Sequence, residues 1–182
     1  MSGPALDVLV ICTGNAARSV MAGFMLAQRA ESAGLEVRIT TAGTHAVDGQ
    51  PMSRRTRAAL EAVEELEPVA TSTHRSRQMA TTAADDAAVV VAMEAAHVRY
   101  VRRVHPGAAA RTATLRRLCR DLDPGPGDLA ERLAALDLAR VELGEWEDVA
   151  DPAGGEDDVY VACARELWDL TGELVERFAG TT

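Results

Sequence analysis

The sequence predicts a single α/β domain in which a parallel β-sheet is covered by helices on both faces. Short apolar runs rich in β-branched residues alternate with segments of helical periodicity, an order typical of βα units joined by right-handed crossovers. The 182 residues suffice for one hydrophobic core, and nothing in the length requires a second. Apolar residues make up 47% of the chain and charged residues 26%, which is the balance of an ordinary globular domain.

The first half of the chain supplies two strands and two helices in alternation. Residues 6–11 (LDVLVI) form an apolar run that suits a strand buried on both faces of a sheet. Residues 19–33 follow with a helical apolar face that Gly34 ends. Residues 36–41 (EVRITT) alternate like a second strand, and residues 42–50 form a loop. Pro51 can then occupy the first turn of a helix that runs to about residue 65.

The second half continues the alternation and contains one long interruption. We predict a buried strand at residues 87–93 (AAVVVAM), a helix at 94–104, a short fourth strand at 111–115 and a long final helix at 157–178. Residues 116–147 hold the breaker cluster DPGPGD and the helix-like run LAERLAALDLARV. We interpret residues 116–147 as a helical excursion within one domain that spans residues 1–182.

Composition excludes several classes of function. The formal charge of −9, from 19 basic against 28 acidic residues, repels polyanions, so nucleic acid is not an expected partner. No uncharged apolar window approaches the length of a membrane span, and residues 1–7 lack the basic start of a signal peptide, so we expect a cytoplasmic protein without membrane contact. The sequence contains no CxxC, and its four histidines have no spacing that would place two on one helix face, so we expect no metal and no other cofactor.

The loop between the first strand and the first helix is the most informative feature. Five residues separate Cys12 from Arg18 there. Ligands collect at the carboxyl ends of parallel strands, and a helix N-terminus offers unpaired N–H groups and a positive dipole to an anion. Gly14 would permit a close approach and Asn15 tolerates left-handed backbone. The predicted phosphate-binding loop comprises Thr13, Gly14, Asn15, Ala16, Ala17 and Arg18.

Three side chains at this loop have the chemistry of a nucleophilic phosphatase. The planar guanidinium of Arg18 can bind two phosphoryl oxygens at once. A helix N-terminus and a nearby cation favour the thiolate form of Cys12, which would attack phosphorus. Ser19 could donate a hydrogen bond to the sulfur and ease its departure in a second step.

At these residues the sequence resembles the low-molecular-weight protein tyrosine phosphatase family, whose signature is a hydrophobic strand followed by C-x-G-N-x-x-R-S. VLVICTGNAARS matches that signature, and the similarity continues in order through TAGTHAVDGQP, HRSRQM and VVVAMEAAHVRYV. The resemblance implies a flavodoxin-like four-stranded parallel sheet. It also implies hydrolysis of a phosphomonoester, on a protein or a small molecule, through a cysteinyl-phosphate intermediate without metal.

The resemblance further implies a general acid and a set of residues that brace the loop. The acid of the family is the Asp of an Asp-Pro pair before the last helix, which assigns the role to Asp151. Asp123 also precedes proline, but it lies in the Gly/Pro-rich breaker, so we prefer Asp151 as the general acid and base. Asn15, Thr41 and His74 match the bracing positions, with capping or packing as the alternative for His74.

The sequence departs from the family in its cysteines. Ala17 stands where many members carry a second cysteine that can form a disulfide with the nucleophile, so we expect no such redox switch. Cys119 or Cys163 could replace it only if the fold brought one of them within disulfide range. We expect both to be buried, unreactive thiols.

The rim of the site is also unusual, because aromatic residues that sandwich a phosphotyrosine ring in the family are missing. Ala153, Gly154 and Gly155 follow the predicted acid instead. His45 falls in the opposite rim region, and Trp146 could serve as a replacement wall, with ordinary packing as its alternative. The assignment of phosphotyrosine as the substrate therefore rests on the resemblance alone.

Two other functions are compatible with the same loop. An arsenate reductase would begin with the same thiolate attack, and with no paired cysteines here it would need an external thiol. A noncatalytic module would use the loop to hold a phosphorylated partner. The joint presence of Cys12, Arg18 and Asp151 argues against the module.

Overall fold

The sheet has four strands, all parallel, in the order β2-β1-β3-β4. In the computed structural model, which describes residues 5–179, they are β1 (Leu6–Cys12), β2 (Val37–Gly43), β3 (Val89–Ala92) and β4 (Thr112–Thr114). The central strand β1 pairs with β2 along its whole length and with β3 over four residues. The predicted four-stranded parallel sheet is confirmed.

Within the described residues, seven α-helices connect and cover these strands. They are α1 (Arg18–Ser32), α2 (Arg54–Glu61), α3 (Thr81–Asp86), α4 (Ala95–Val104), α5 (Leu115–Asp121), α6 (Leu129–Ala134) and α7 (Asp157–Phe178). Short 3-10 turns occupy Thr71–Thr73, Pro106–Arg111 and Glu145–Glu147. No helix within residues 5–179 combines the length and apolar character that crossing a bilayer requires.

Alternation along β1 divides the core into two layers. Val8, Val10 and Cys12 face the larger layer, which includes buried residues of α1, α5 and α7. Leu9 and Ile11 face the smaller layer with buried residues of α3 and α4. Successive side chains of a strand point to opposite faces, so a strand covered on both sides must be apolar throughout, as β1 is from Val8 to Ile11.

The strand order creates the position of the site. The chain leaves β1 for β2 on one side and later returns to β3 on the other, so the connections diverge between β1 and β3. Such a switch point opens a crevice at the carboxyl ends of the strands, where ligands bind in open α/β sheets. Cys12 is the last residue of β1, and Glu94 lies two positions beyond the end of β3.

Most predicted elements agree with the structure, and α7 has both predicted limits. The first half has two exceptions. Helix α3 was not predicted, and α2 begins three residues later than expected and ends at Glu61 rather than near residue 65. The prediction that Pro51 lies in the first turn of this helix was wrong. Pro51 instead forms an isolated bridge with Arg75, and the Ser53 side chain caps the helix by accepting a hydrogen bond from the Thr56 N–H.

Residues 116–147 differ from the prediction in two ways: they contain part of a helix that was not predicted, α5, and a shorter helix than the helix-like run suggested, α6. Helix α5 begins directly after β4, with the Thr114 hydroxyl accepting from the Arg117 N–H at 3.1 Å. Helix α6 covers only part of the helix-like run, because the chain turns at Asp137, whose φ is 47°. Five leucines of this segment lie in the larger core layer: Leu118, Leu122, Leu129, Leu133 and Leu138.

Candidate active site

The sulfur of Cys12 lies at the base of the loop beside a hydroxyl. Cys12 is 3% exposed, and its Sγ is 3.0 Å from Oγ of Ser19. The same Oγ accepts a hydrogen bond of 3.0 Å from the side-chain amide of Asn15. Since this contact uses an acceptor position of the hydroxyl, the Ser19 proton is available for donation to the sulfur. The structure thus brings together the two residues that the sequence pairs at the sulfur.

Asn15 organises the loop backbone. Its φ of 51° is the left-handed conformation expected from the sequence. Its side-chain amide also donates to the Thr41 hydroxyl at 3.0 Å, and its carbonyl side-chain oxygen accepts from the Arg77 N–H at 3.0 Å. Nε2 of His74 lies 3.0 Å from the Asn15 backbone oxygen, an acceptor, so this nitrogen carries the proton. Thr41 and His74, the two residues predicted to brace the loop together with Asn15, therefore both contact Asn15.

Burial lowers the pKa of His74 below its usual range, an effect that the hydrogen bond to Asn15 opposes. The positive charges of Arg77 and Arg75 lower it further. A neutral ring with its proton on Nε2 is sufficient for the contact to the loop. Of the two interpretations of His74, bracing of the loop agrees with its hydrogen bond to Asn15.

A glycine at the end of β2 allows this strand to approach the loop. A Cβ placed on Gly43 would lie 2.5 Å from the Thr13 carbonyl oxygen and 2.9 Å from the Asn15 nitrogen. No other residue could occupy this position without moving the loop. A Cβ at Gly14 would meet no protein atom within 4 Å, so the close contact within the protein falls at Gly43, which the sequence reasoning missed. A glycine closing a strand was the available signal.

Three partners hold the guanidinium of Arg18, which is 2% exposed. Its Nη1 donates to the Glu94 carboxylate and, at 2.8 Å, to the Val149 carbonyl oxygen. Its Nη2 donates to Oδ2 of Asp151 at 2.8 Å. The candidate acid is thus in direct contact with the candidate phosphate ligand. The other Asp-Pro aspartate, Asp123, has a different partner: its backbone carbonyl oxygen accepts a hydrogen bond of 3.0 Å from Arg132.

Glu94 is a site residue that the sequence reasoning missed. It is the N-cap of α4 and follows β3, the strand beside β1. The signal was the same one that identified Cys12: a polar side chain placed directly after a buried strand at the switch point of the sheet. The Glu94 carboxylate neutralises part of the Arg18 charge and fixes the plane of the guanidinium.

His97 was also missed, although it contacts the loop. Its Nδ1 accepts from the Glu94 N–H at 3.1 Å, so in the neutral ring the proton lies on Nε2, which is 2.9 Å from the Thr13 hydroxyl. Burial lowers the pKa of His97 to about 4, and the positive charge of Arg18 acts in the same direction. His97 is therefore neutral near pH 7 and orients the first residue after the candidate nucleophile.

The segment that carries Asp151 is fixed at successive residues, and we call residues 147–151 the anchoring segment. The buried Glu147 carboxylate accepts from Arg117 at 2.6 and 2.8 Å. Burial raises the pKa of Glu147, but hydrogen bonds from Arg117, Gly144 and Thr114 outweigh it and leave the pKa below its usual value. The anchoring segment therefore begins at a buried ion pair.

The next residues of the anchoring segment bind the elements around the loop. Oδ1 of Asp148 accepts from the Ala95 N–H at 2.7 Å, at the start of α4. The Val149 N–H donates to the Met93 carbonyl oxygen at 2.8 Å, at the end of β3. Oδ1 of Asp151 then accepts from the Ala153 N–H at 3.0 Å, which orients the carboxylate that Arg18 contacts.

The two predicted rim residues lie in different surroundings. His45 is exposed next to the loop, where its N–H donates to the Thr13 carbonyl oxygen at 2.9 Å and its ring packs edge-on against Tyr100. Trp146 is 43% exposed and stacks with the guanidinium of Arg120, 3.6 Å from its ring centroid. This stacking joins Trp146 to α5 and not to the loop.

The other two cysteines are buried and free, as expected from the sequence. Burial raises the pKa of each thiol to about 12. Cys119 donates to the Leu170 carbonyl oxygen at 3.3 Å, and Sγ of Cys163 is 3.9 Å from the Ala150 carbonyl oxygen, next to the candidate acid. Within residues 5–179, no three histidine, cysteine, aspartate or glutamate side chains form a group that could hold a metal ion.

The loop at the N-terminus of α1 carries the thiol of Cys12 and the buried guanidinium of Arg18, which contacts the Asp151 carboxylate. These features define the class of the protein as a cysteine-dependent phosphatase. The model of the family described as "Low molecular weight phosphotyrosine protein phosphatase" matches residues 7–134. The chain belongs to this family.

Individual relatives agree with this family and with the fold. A protein named Protein-arginine-phosphatase from Geobacillus stearothermophilus is 29% identical over 170 residues, covering 93% of this chain and 94% of that protein. A protein of the same name from Bacillus subtilis (strain 168) is 26% identical over 172 residues, covering 94% and 96%. The structure of a low molecular weight protein tyrosine phosphatase from T. tengcongensis matches with a TM-score of 0.74 at 26% identity, covering 94% and 99%. The flavodoxin-like fold predicted from the sequence is confirmed.

Proposed function

We propose that this phosphatase removes phosphoryl groups from protein side chains through a covalent intermediate on Cys12. The observation that carries the proposal is the hydrogen bond of 2.8 Å between Arg18 and Asp151. Because Arg18 belongs to the loop that starts at Cys12, this contact supports the assignment of a nucleophile, an anion ligand and a proton donor to one crevice.

In the first step, the Cys12 thiolate forms a bond to phosphorus while the bond from phosphorus to the leaving atom breaks. The loop amides and Arg18 stabilise the charge on the equatorial oxygens. Asp151 donates its proton to the leaving atom, so that a phenol departs neutral and a guanidine departs as the guanidinium cation.

In the second step, water attacks phosphorus and Asp151 takes up its proton. The bond between sulfur and phosphorus breaks, and inorganic phosphate is released. The electron pair returns to Cys12, where the Ser19 hydroxyl at 3.0 Å can stabilise the thiolate. No metal is needed to balance either step.

Two phosphorylated side chains are candidates for the substrate. Phosphotyrosine is the substrate in the family description, and the two curated relatives are named for phosphoarginine chemistry. One observation favours phosphoarginine: the carboxylates of Glu94 and Asp151 both flank Arg18 and are 24% and 43% exposed. A cationic guanidinium leaving group would find negative charge there, whereas a tyrosine ring would find no aromatic wall after Asp151.

We infer that residues 1–182 act as one phosphatase domain that includes the excursion at 116–147. The five core leucines of that segment support this assignment. A cytoplasmic location is also a proposal, supported by three cysteines that are all free thiols.

The test is turnover by the purified protein and by two loop variants. We expect release of phosphate from p-nitrophenyl phosphate by the wild type and none by Cys12→Ser, which should still bind inorganic phosphate. Arg18→Lys keeps the charge but loses the two-pronged donor, so kcat/KM should fall by at least about 100-fold. Phosphopeptide binding without turnover by the wild type would establish the noncatalytic module instead. Consumption of thiol that depends on arsenate would establish the reductase.

The choice of substrate can be tested with Glu94→Gln, which removes the charge and keeps the shape. With matched peptides, this variant should lose more kcat/KM toward phosphoarginine than toward phosphotyrosine. Equal losses on both peptides would remove the argument for phosphoarginine and leave the chemistry at Cys12 intact.

A further inference from the structure

The distribution of arginine around the loop is uneven for an acidic protein. All 19 basic residues of the chain are arginine, against 28 acidic residues. Residues 49–60 (GQPMSRRTRAAL) and 68–84 (PVATSTHRSRQMATTAA) contain no aspartate or glutamate, and together they hold five arginines. Local positive charge is thus concentrated in two stretches of a chain whose formal charge is −9.

Hydrogen bonds join these two stretches to each other and to the candidate site. The Ser76 N–H donates to the Gln50 carbonyl oxygen at 2.9 Å. The Thr56 hydroxyl donates to the Ala16 carbonyl oxygen at 3.0 Å. Nε2 of His74 donates to the Asn15 carbonyl oxygen at 3.0 Å. Both stretches therefore form one flank of the phosphate-binding loop.

Four of the five arginines on this flank have no acidic partner. Arg55 pairs with Glu156 and Asp157 at 3.0 Å each. The other four are exposed, and no carboxylate in residues 5–179 lies within 4.0 Å of their guanidinium groups. We call these four the arginine surface: Arg54, Arg57, Arg75 and Arg77.

A cavity extends the arginine surface along the edge of the sheet. Its volume is about 370 Å³, and it lies between α1 and the edge strand β2. Phe24 and Ile39 contribute apolar lining, while Arg75 and Arg77 line it from the arginine surface. The flank therefore offers both positive charge and room for a segment of another protein.

We propose that the arginine surface binds aspartate and glutamate residues that neighbour the phosphorylated side chain in the substrate protein. This proposal rests on the proposed function, because it places the phosphorylated residue in the loop. The net charge of the protein repels such a segment, and the four arginines of the arginine surface offer it favourable charge beside the loop. Charge complementarity of this kind accelerates encounter and selects partners, and it weakens with salt.

The experiment compares two phosphopeptides that differ only in their flanking residues, acidic in one and serine in the other. For the wild type at low salt, we expect kcat/KM to be about tenfold higher for the acidic peptide. The advantage should shrink at high salt. Arg54→Glu/Arg57→Glu should abolish or invert it, whereas Arg99→Glu/Arg140→Glu, an equal change of charge elsewhere on the surface, should preserve it.

Hydrolysis of p-nitrophenyl phosphate separates this proposal from the proposed function, because that substrate has no flanking chain. If the wild type does not hydrolyse it, the proposed function fails. If the wild type hydrolyses it and treats the two peptides alike, the role of the arginine surface is overturned. Stronger competition by an oligonucleotide than by the acidic peptide would assign the surface to nucleic acid and would also overturn the proposal.

Discussion

Nη2 of Arg18 and Oδ2 of Asp151 are joined by a hydrogen bond of 2.8 Å, although 133 positions separate the two residues in the chain. A phosphoryl group bound by Arg18 competes for the same N–H groups. We therefore expect the arrival of substrate to transfer Arg18 from Asp151 to the phosphoryl oxygens. Glu94 and Val149 hold Nη1 and preserve the orientation of the guanidinium during this exchange.

This contact leads to a prediction about Asp151→Asn, which can still accept a hydrogen bond from Arg18 but cannot donate a proton as an acid. Turnover of substrates with poor leaving groups, such as phenyl phosphate, should fall by about 100- to 10,000-fold. Turnover of p-nitrophenyl phosphate should fall much less, because its leaving group needs little protonation. Steady-state kcat on both esters is the measurement. Asp123→Asn is the matched control and should behave as the wild type; equal losses on the two esters would remove Asp151 from the acid role.

The buried pair of Arg117 and Glu147 gives a prediction about stability. Glu147 is 0% exposed and Arg117 is 4% exposed, so Glu147→Gln leaves the buried guanidinium with the Asp121 carboxylate, at 3.1 Å, as its remaining ionic partner. Removing one partner of a buried pair costs up to about 3–5 kcal/mol of unfolding free energy, and the Asp121 contact reduces that loss. Urea unfolding checks the value. The double variant Arg117→Leu/Glu147→Leu should lose less than the single variant, and a single-variant loss below about 1 kcal/mol would contradict the interpretation.

His97 gives a prediction about acid stability. Its pKa of about 4 in the folded protein lies below the ordinary value of 6.5, so between these values the unfolded chain binds more protons than the folded one. Stability is therefore lost as pH falls from above 6.5 toward 4. From pH 7 to pH 4.5, His97 should account for about 2 kcal/mol of the loss in unfolding free energy.

The measurement for His97 is urea unfolding at both pH values for the wild type and for His97→Gln, which does not titrate. The variant should lose about 2 kcal/mol less than the wild type over this interval. Carboxylates titrate in both proteins, so their contribution cancels in the comparison. The same pH dependence in both proteins would show that His97 is not held neutral by the fold.

Local patterns were sufficient to predict β1, the loop from Cys12 to Arg18 and helix α7. Each depends on the periodicity of a continuous segment or on the residues at its ends. The predicted start of α2 was wrong for a local reason too. Proline is favoured in a first helical turn, but the helix begins after Ser53, whose side chain caps it.

The missed residues have in common that their partners are distant in the chain. Glu94 is 76 positions from Arg18, and His97 is 84 positions from Thr13. Gly43 is required only because the backbone of a neighbouring loop passes close by. Such contacts depend on which strands become neighbours, and the identity of β1 and β3 as neighbours could have suggested Glu94 before the structure was known.

The anchoring segment also bears on how freely this scaffold could be altered. Residues 147–151 contact α4, α5, the end of β3 and Arg18 of the loop, and these contacts position the proposed proton donor without using the chain between α5 and α6. The exposed DPGPGD turn lies on that route. An engineer could lengthen this turn, or splice a recognition peptide or reporter into it, without moving the chemistry.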